Sequence, residues 1–361
     1  MSETLLKVLD LARWAPSGDN TQPWRFELLA DDHLVVIGHD TRDHVLYDFH
    51  GHASHIAHGA LLETIRLAAT RFGLVARWQR RPTEEGLELV FDVRFEPSDS
   101  LREDPLVACI ESRSVQRRAV QTRAIRTEHR RALEAGMPEG WQLCFHEGFA
   151  ERVSLAGVLF RNAGIRLRTP EAYPVHASII DWRQRYSEDR IPEQAVGTDR
   201  MTGLLMRWVM GSWQRVRFFN RYLLGTWLPR IQLDLVPALR CAAHIMIVAP
   251  SRPSTPDDFV QAGAVLQSLW LRCEQQGIRL QPAMTPLIFS WYVQIAEPFT
   301  HDARSWREAK EMSEGLKRRW GSDRLGRTVF WARIGYGAPA QARSLRKALA
   351  SLISRGDRRE G

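Results

Sequence analysis

Ala15-Pro16-Ser17-Gly18-Asp19-Asn20-Thr21-Gln22-Pro23-Trp24-Arg25-Phe26 joins a helix to a strand through a loop of turn-forming polar residues. The helix, roughly Glu3 to Trp14, stops at Pro16, and Gln22-Pro23-Trp24 leads into a strand over residues 24–28. Ahead of it, Met1 to Leu6 carries an early acid and no basic leader, which reads as the start of a helix and not as a signal peptide. The loop offers backbone N–H groups and short polar side chains beside an aromatic anchor. A flat heteroaromatic ring with imide-like donors and acceptors is a natural ligand for such a surface. An ordinary helix-to-strand connection would use the same turn residues, so the residues alone leave both readings open.

Further along, two segments repeat. His58-Gly59-Ala60-Leu61-Leu62-Glu63-Thr64-Ile65-Arg66-Leu67 leads to Gly73, and Ala262-Gly263-Ala264-Val265-Leu266-Gln267-Ser268-Leu269-Trp270-Leu271 leads to Gly277. Both place apolar residues at helical spacing and end at a glycine suited to a left-handed cap. The early Gly-Ala pair permits close approach of another backbone, so each predicts a central helix packed hard on a partner. The flanks correspond too. Leu87, Leu89, Phe91, Val93 and Phe95 alternate as a half-buried strand after the first copy, and residues 328–334 form a strand after the second. A helix near residues 128–135 and a strand over 141–145 precede the second copy. The order helix, strand, helix, strand therefore occurs twice, joined by the polar stretch from Pro97 to Pro105. The expected units are residues 1–105 and 106–361.

The second unit is longer by an insertion, roughly Arg166 to Arg240, rich in tryptophan and arginine. Its apolar residues fall at helical spacing, but Gly211, Gly225 and Pro229 interrupt them. A packed cover over a ligand is the expectation; a membrane-surface helix and a nucleic-acid surface are the alternatives weighed against it. The 361 residues carry a net charge of +8, with 44% hydrophobic residues and 25% charged. No run is long and apolar enough for a membrane span. The arginines are spread along the whole chain, without a basic arm, so nucleic acid is not expected as a partner. Cys109, Cys144, Cys241 and Cys273 form no CxxC pair and read as reduced thiols, which suits the cytoplasm. His50, His52, His55 and His58 cluster, but with no HExxH and no carboxylate triad they predict no metal site.

The loop that opens this reading resembles the A-P-S-x-x-N-x-Q-P-W pattern of the nitroreductase-like flavoproteins, matched by Ala15, Pro16, Ser17, Asn20, Gln22, Pro23 and Trp24. In that family the string lies against the FMN ring. The resemblance makes Pro16, Ser17, Asn20 and Gln22 cofactor contacts and leaves Trp24 to packing. An arginine turn that grips the FMN phosphate in the family is matched in the second unit by Arg113, Ser114, Arg117 and Arg118, nearest to the R-x-T-x-R-R form. Ser112 and Gln116 depart from the commoner form. Arg343 and Arg346 stand where relatives carry a basic pair; a basic face on a C-terminal helix is the plain alternative. Pro282 and Thr285, in Gln281-Pro282-Ala283-Met284-Thr285-Pro286, stand by position for the loop over the flavin.

The first unit keeps the loop and lacks the arginine turn. The second keeps the arginines, while its equivalent of the loop, Glu134 to Trp141, has lost the pattern. The resemblance thus implies an α+β nitroreductase-like fold, with a mixed, largely antiparallel sheet flanked by helices. It is internally duplicated into a single-chain pseudo-dimer with a helical lid and one composite FMN site. The implied activity is an FMN-dependent oxidoreductase passing electrons from NAD(P)H to a nitroaromatic, quinone or similar acceptor. No separate catalytic side chain is needed. A catalytically weak FMN-binding or flavin-storage protein is the alternative. A monomer or loose homodimer is expected, without membrane contact.

Overall fold

The computed structural model describes residues 3–82, 88–222, 225 and 227–354. The first unit runs α1 (Glu3–Ala12), β1 (Trp24–Ala30), β2 (His33–His39), α2 (His52–Thr70), β3 (Leu74–Arg80) and β4 (Glu88–Pro97). Leu5, Val8, Leu9 and Ala12 bury one face of α1, three and four residues apart. Leu89, Phe91, Val93 and Phe95 alternate inward along β4; Leu87 lies outside the described residues. The four strands form an antiparallel sheet in the order β1-β2-β4-β3.

The second unit repeats this plan with long additions. It contains α3 (Thr127–Ala135), β5 (Gln142–His146), α4 (Phe149–Arg168), α5 (Arg200–Val209), α6 (Trp213–Tyr222), β6 (Ala243–Val248), α7 (Pro256–Gln275), β7 (Ile278–Pro282), α8 (Thr285–Gln294), α9 (Ala303–Trp320) and β8 (Thr328–Tyr336). Its antiparallel sheet has the order β5-β6-β8-β7. Substituting β5, β6, α7, β7 and β8 for β1, β2, α2, β3 and β4 reproduces the first unit's strand order. The repeating plan is therefore helix, strand, strand, helix, strand, strand, richer than the sequence pattern predicts. Four strands, β2, β3, β6 and β7, are additional; β2 and β6 escape the pattern because they are near-continuous apolar runs without alternation, and all six residues of β6 are buried.

The insertion also starts earlier than Arg166. In the first unit β1 turns directly into β2. In the second, everything between His146 and Ala243 separates the equivalent strands, and Arg166 falls in the last turn of α4. Each sheet is wholly antiparallel; the parallel component comes from isolated bridges and two-residue strands. Ile353 bridges to Phe26, extending the first sheet with the chain's C-terminal segment, and Val115 bridges to Leu280.

The units meet where α2 crosses α7. A Cβ added at Gly59 would lie 1.7 Å from the carbonyl oxygen of Val260, and one added at Gly263 would lie 1.9 Å from that of Ile56. Each glycine thus faces the carbonyl three residues before the other, a reciprocal contact with the form of a two-fold axis. Gln267 donates to the Thr64 hydroxyl across the same interface at 2.9 Å.

Candidate functional site

A cavity of about 640 Å³ opens between the units. Ten of the residues expected in the site line it: Pro16, Ser17 and Asn20 from the loop, Arg113, Ser114 and Arg117 from the arginine turn, Pro282 and Thr285, and Arg343 and Arg346. Gln22 and Arg118 do not.

The loop is held in an unusual backbone shape. Asp19, Asn20 and Gln22 have φ of 48°, 65° and 52°, a left-handed region that Asn and Asp tolerate better than most residues. Hydrogen bonds fix it there. The Ser17 hydroxyl accepts from the Gln22 N–H at 3.0 Å. Asn20 Nδ2 donates to the Glu188 carbonyl at 3.0 Å, and its Oδ1 accepts from Arg346 at 3.0 Å. Gln22 is fully buried. Its Nε2 donates to the Asn20 and Glu188 carbonyls at 3.0 and 2.9 Å, and its Oε1 accepts from the Lys347 N–H at 2.9 Å. The expected ring contact at Gln22 is replaced by a structural role, because both ends of its amide are spent inside the protein. Trp24 is buried in the core.

Three arginines converge behind the loop. Arg346 is buried and donates to the carbonyls of Ala15 at 3.0 Å and Trp14 at 3.2 Å. Arg113, also buried, donates to the Trp14 carbonyl at 3.0 Å and lies 4.6 Å from the Trp270 ring centre. Arg343 stacks over Trp14 at 4.8 Å. None of the three has a carboxylate at ion-pair distance among the described residues. Glu274, which acts on Arg113 from further off, is engaged by Arg279 at 2.6 Å. Burial, with the neighbouring Arg343, pushes the Arg113 guanidinium down to about 10. Burial and the adjacent Arg113 and Arg343 push Arg346 well below its ordinary range. The buried Arg113 Nε has no hydrogen-bond partner. Clustered, desolvated guanidiniums with an unfilled donor are chemically suited to receive an anion.

Arg343 and Arg346 do not sit on a helix as the plain alternative required. Arg343–Ser344 pairs in parallel with Tyr186–Ser187 of the insertion, and helix resumes only at Leu349–Leu352. Arg118 is exposed and turns to the carbonyls of Gly197 and Thr198, at 3.5 and 3.4 Å. Pro282 closes β7, and Thr285 opens α8 with its hydroxyl accepting from Asn162 Nδ2 at 2.5 Å.

Sequence patterns missed a second polar group along the cavity wall. Asp19, Tyr47, Arg166, His176, Asp234 and Arg333 gather there. Burial pushes the Asp19 carboxyl up, against the pull of Arg117 and Arg166. Arg166 pairs with Asp234 at 3.2 Å, and the Tyr47 hydroxyl shares a 2.7 Å hydrogen bond with His176, which burial holds down to about 3. Asp19 lay in plain view in the loop. The rest come from separate elements, so no sequence spacing connects them. The insertion also lines the cavity with apolar side chains, Leu205, Met206, Val209, Phe219 and Leu228 among them.

The histidine cluster packs. His58 is buried with Nε2 2.8 Å from the Pro23 carbonyl, and His52 stacks on Phe259 at 3.7 Å. Among the described residues no group of three or more His, Cys, Asp or Glu side chains is placed to hold a metal ion. None of the described helices is long and apolar enough to cross a membrane.

Comparison with known proteins supplies a sequence kinship. No family model matches the chain. Over 104 residues it is 33% identical to acg of Mycobacterium tuberculosis, named as a candidate NAD(P)H nitroreductase. The same match recurs in a second strain. It covers 28% of this chain, and the chain spans only 30% of that relative's length. Two solved structures align weakly. A nitroreductase-like family protein from Bacillus cereus is 13% identical with a TM-score of 0.34, over 70% of this chain and 95% of that one. The FMN-dependent nitroreductase NfnB from Mycobacterium smegmatis, solved with NADPH, is 17% identical with a TM-score of 0.35, over 67% and 94%.

Proposed function

We propose that this chain, a relative of the nitroreductase-like proteins, binds one FMN in the cavity between its units and is an NAD(P)H-dependent oxidoreductase. The observation that carries the reading is the carboxylate-free arginine group in the wall of the cavity that the Ser17–Asn20 loop also lines. Arg113, Arg343 and Arg346, with Ser114, would hold the phosphate. The loop and the Pro282–Thr285 segment would border the ring. Bound FMN would supply the two-electron chemistry. The chain's own part is binding and orientation. Its buried guanidiniums and rigid loop donors need no rearrangement to stabilise negative charge, and the inward apolar side chains of the insertion exclude water. Because Arg113 and the Pro16–Asn20 loop come from different units, one duplicated chain would suffice as a pseudo-dimer, with bounds near 1–105 and 106–361. A nitroaromatic or quinone fits the apolar side of the cavity, and the four unpaired cysteines suit a cytoplasmic setting.

Flavin storage is the second reading, favoured by one observation: apolar side chains of the insertion line the cavity. One experiment separates the readings. The purified protein is heated, the released cofactor is identified and counted, and the holoprotein is titrated anaerobically with NADH and then NADPH while flavin absorbance is followed. One FMN per chain with bleaching supports the oxidoreductase. FMN without bleaching by either dinucleotide supports storage, and no flavin refutes both.

A further inference from the structure

We propose that α5 and α6 form a docking surface for an anionic phospholipid membrane, independently of what the cavity holds. The sequence expectation of a packed cover is met only on the inner side. Met201, Leu204, Leu205 and Trp208 follow one another at spacings of three, one and three residues along α5, which makes one helical face, and that face is exposed. Their exposures are 75%, 50%, 45% and 53%. The buried residues of the helix, Thr202 and Gly203, point the other way. The amphipathic pattern is thus turned outward, the reverse of a helix packed on a core.

The surface continues onto α6 and to Trp227 and Leu228. Phe218 and Tyr222 stand one helical turn apart, 52% and 63% exposed, with Trp227 and Leu228 beyond them at 48% and 45%. Trp208 packs edge-on against Phe219, with ring centres 5.7 Å apart, and Arg215 lies over Trp208 at 4.7 Å, so the two helices present one face. Leu205 and Leu228 belong both to this surface and to the cavity lining. An exposed contiguous apolar patch of this kind marks an interaction surface.

Charge identifies the occupant. From Arg200 to Leu233 the sequence holds six arginines and no aspartate, glutamate or lysine. Arg200, Arg215, Arg217 and Arg221 are exposed and Arg207 is half-buried, while Arg230 is buried. Apolar side chains flanked by arginines of one sign match the boundary between acyl chains and anionic headgroups, where Trp and Tyr also settle. A second copy of the chain fits less well, since a two-fold contact would set this positive face against itself. Nucleic acid would answer the arginines and leave the row Met201, Leu204 and Leu205 in water.

The test is co-sedimentation of the full chain with large vesicles of phosphatidylcholine, alone or mixed with phosphatidylglycerol, at low and high salt. The protein should pellet with the mixed vesicles, stay in solution with phosphatidylcholine alone, and be released by salt. Arg215→Gln/Arg217→Gln/Arg221→Gln should lower the partition coefficient on the order of a hundredfold. Met201→Ser/Leu204→Ser should lower it at least tenfold, by removing most of two buried side chains from the contact. Met201, Leu204, Arg215, Arg217 and Arg221 are all exposed, and melting curves matching the parent will show that both variants fold. Failure of the parent to pellet with mixed vesicles at low salt overturns the proposal, as does partitioning of both variants like the parent. A dimer on size exclusion that Met201→Ser/Leu204→Ser converts to monomer assigns the face to a second copy. Duplex DNA binding that displaces the vesicles and survives the serine substitutions assigns it to nucleic acid. Either result overturns it too.

Discussion

Gly59→Ala tests whether the α2–α7 crossing organises the molecule. The new methyl would lie 1.7 Å from the Val260 carbonyl oxygen, 2.6 Å from its carbon and 3.0 Å from the Ala264 nitrogen, where ordinary contact begins at 3.4 Å. All three are backbone atoms, so no side chain can rotate away. The helices must part by more than an ångström. Overpacking typically costs about 1–3 kcal/mol, and a gap of ~1 Å forfeits up to half of each dispersion contact along the interface. Alanine's better helix propensity returns about 1 kcal/mol. The expected net loss is about 2–4 kcal/mol, read as a lower urea midpoint. Gly263→Ala should behave alike, its methyl lying 1.9 Å from the Ile56 oxygen. The double variant should lose less than the two losses together by about 1–2 kcal/mol, because helices parted for one methyl already accommodate the other. Gly315→Ala on α9 is the control. Its methyl would meet only the end of Arg318 at 3.9 Å, so it should be neutral or stabilising by up to about 1 kcal/mol. A Gly59→Ala protein within 1 kcal/mol of the parent, or strictly additive losses in the double variant, would refute a crossing held on bare backbone.

Arg113→Gln and Arg346→Gln should each weaken FMN affinity by about ten- to a hundredfold, the worth of one charge-assisted contact; equilibrium dialysis at unchanged melting temperature checks it, and unchanged affinity in both would move the phosphate elsewhere. Fragments 1–105 and 106–361 should each fail to hold FMN when expressed singly, as judged by flavin fluorescence, and tight binding by either alone would show that the site does not cross the units. Burial holds His55 and His58 down to about 4 and His52 to about 3, against about 6.5 in the unfolded chain. The unfolded chain therefore binds more protons between those limits, so stability is full above about pH 6.5 and falls as pH drops toward 4, by up to ~3 kcal/mol for each histidine held near 4; urea midpoints that stay flat across that range would contradict their burial in the neutral form.

The parts legible in the sequence are those where a local pattern has a local cause. The Pro16–Asn20 loop, the two glycine-bearing helices and the alternating strand β4 each follow from neighbouring residues, and the structure forms each of them, with both helices starting six residues before the repeated segments. Strands β2 and β6 were hidden because burial on both faces removes the alternation that marks a strand. Gln22 was misplaced for a different reason. An amide beside a ligand loop and an amide that ties that loop together have the same sequence signature, and only the partners at Glu188 and Lys347, more than 160 residues away, tell them apart. The same holds for the second polar group along the cavity wall. Asp19, Tyr47, Arg166 and Asp234 meet through tertiary structure, so no spacing announces them.

On the proposed duplication, a two-fold plan offers two equivalent positions for a ligand, and the composition of the two units would furnish one of them. The polar loop survives in the first unit and the arginine turn in the second. The crossing of α2 and α7 therefore brings one loop to one arginine group. At the mate position the stretch from Glu134 to Trp141 lacks the pattern of the polar loop. Where the first unit turns directly from β1 to β2, the second spends the whole segment from Glu147 to Ala242, part of which lines the cavity. On the proposed duplication, the lost site and the added cover are one change. The added cover lines the cavity from one unit, and on the proposed membrane contact its outer side, exposed and basic, would face the lipid.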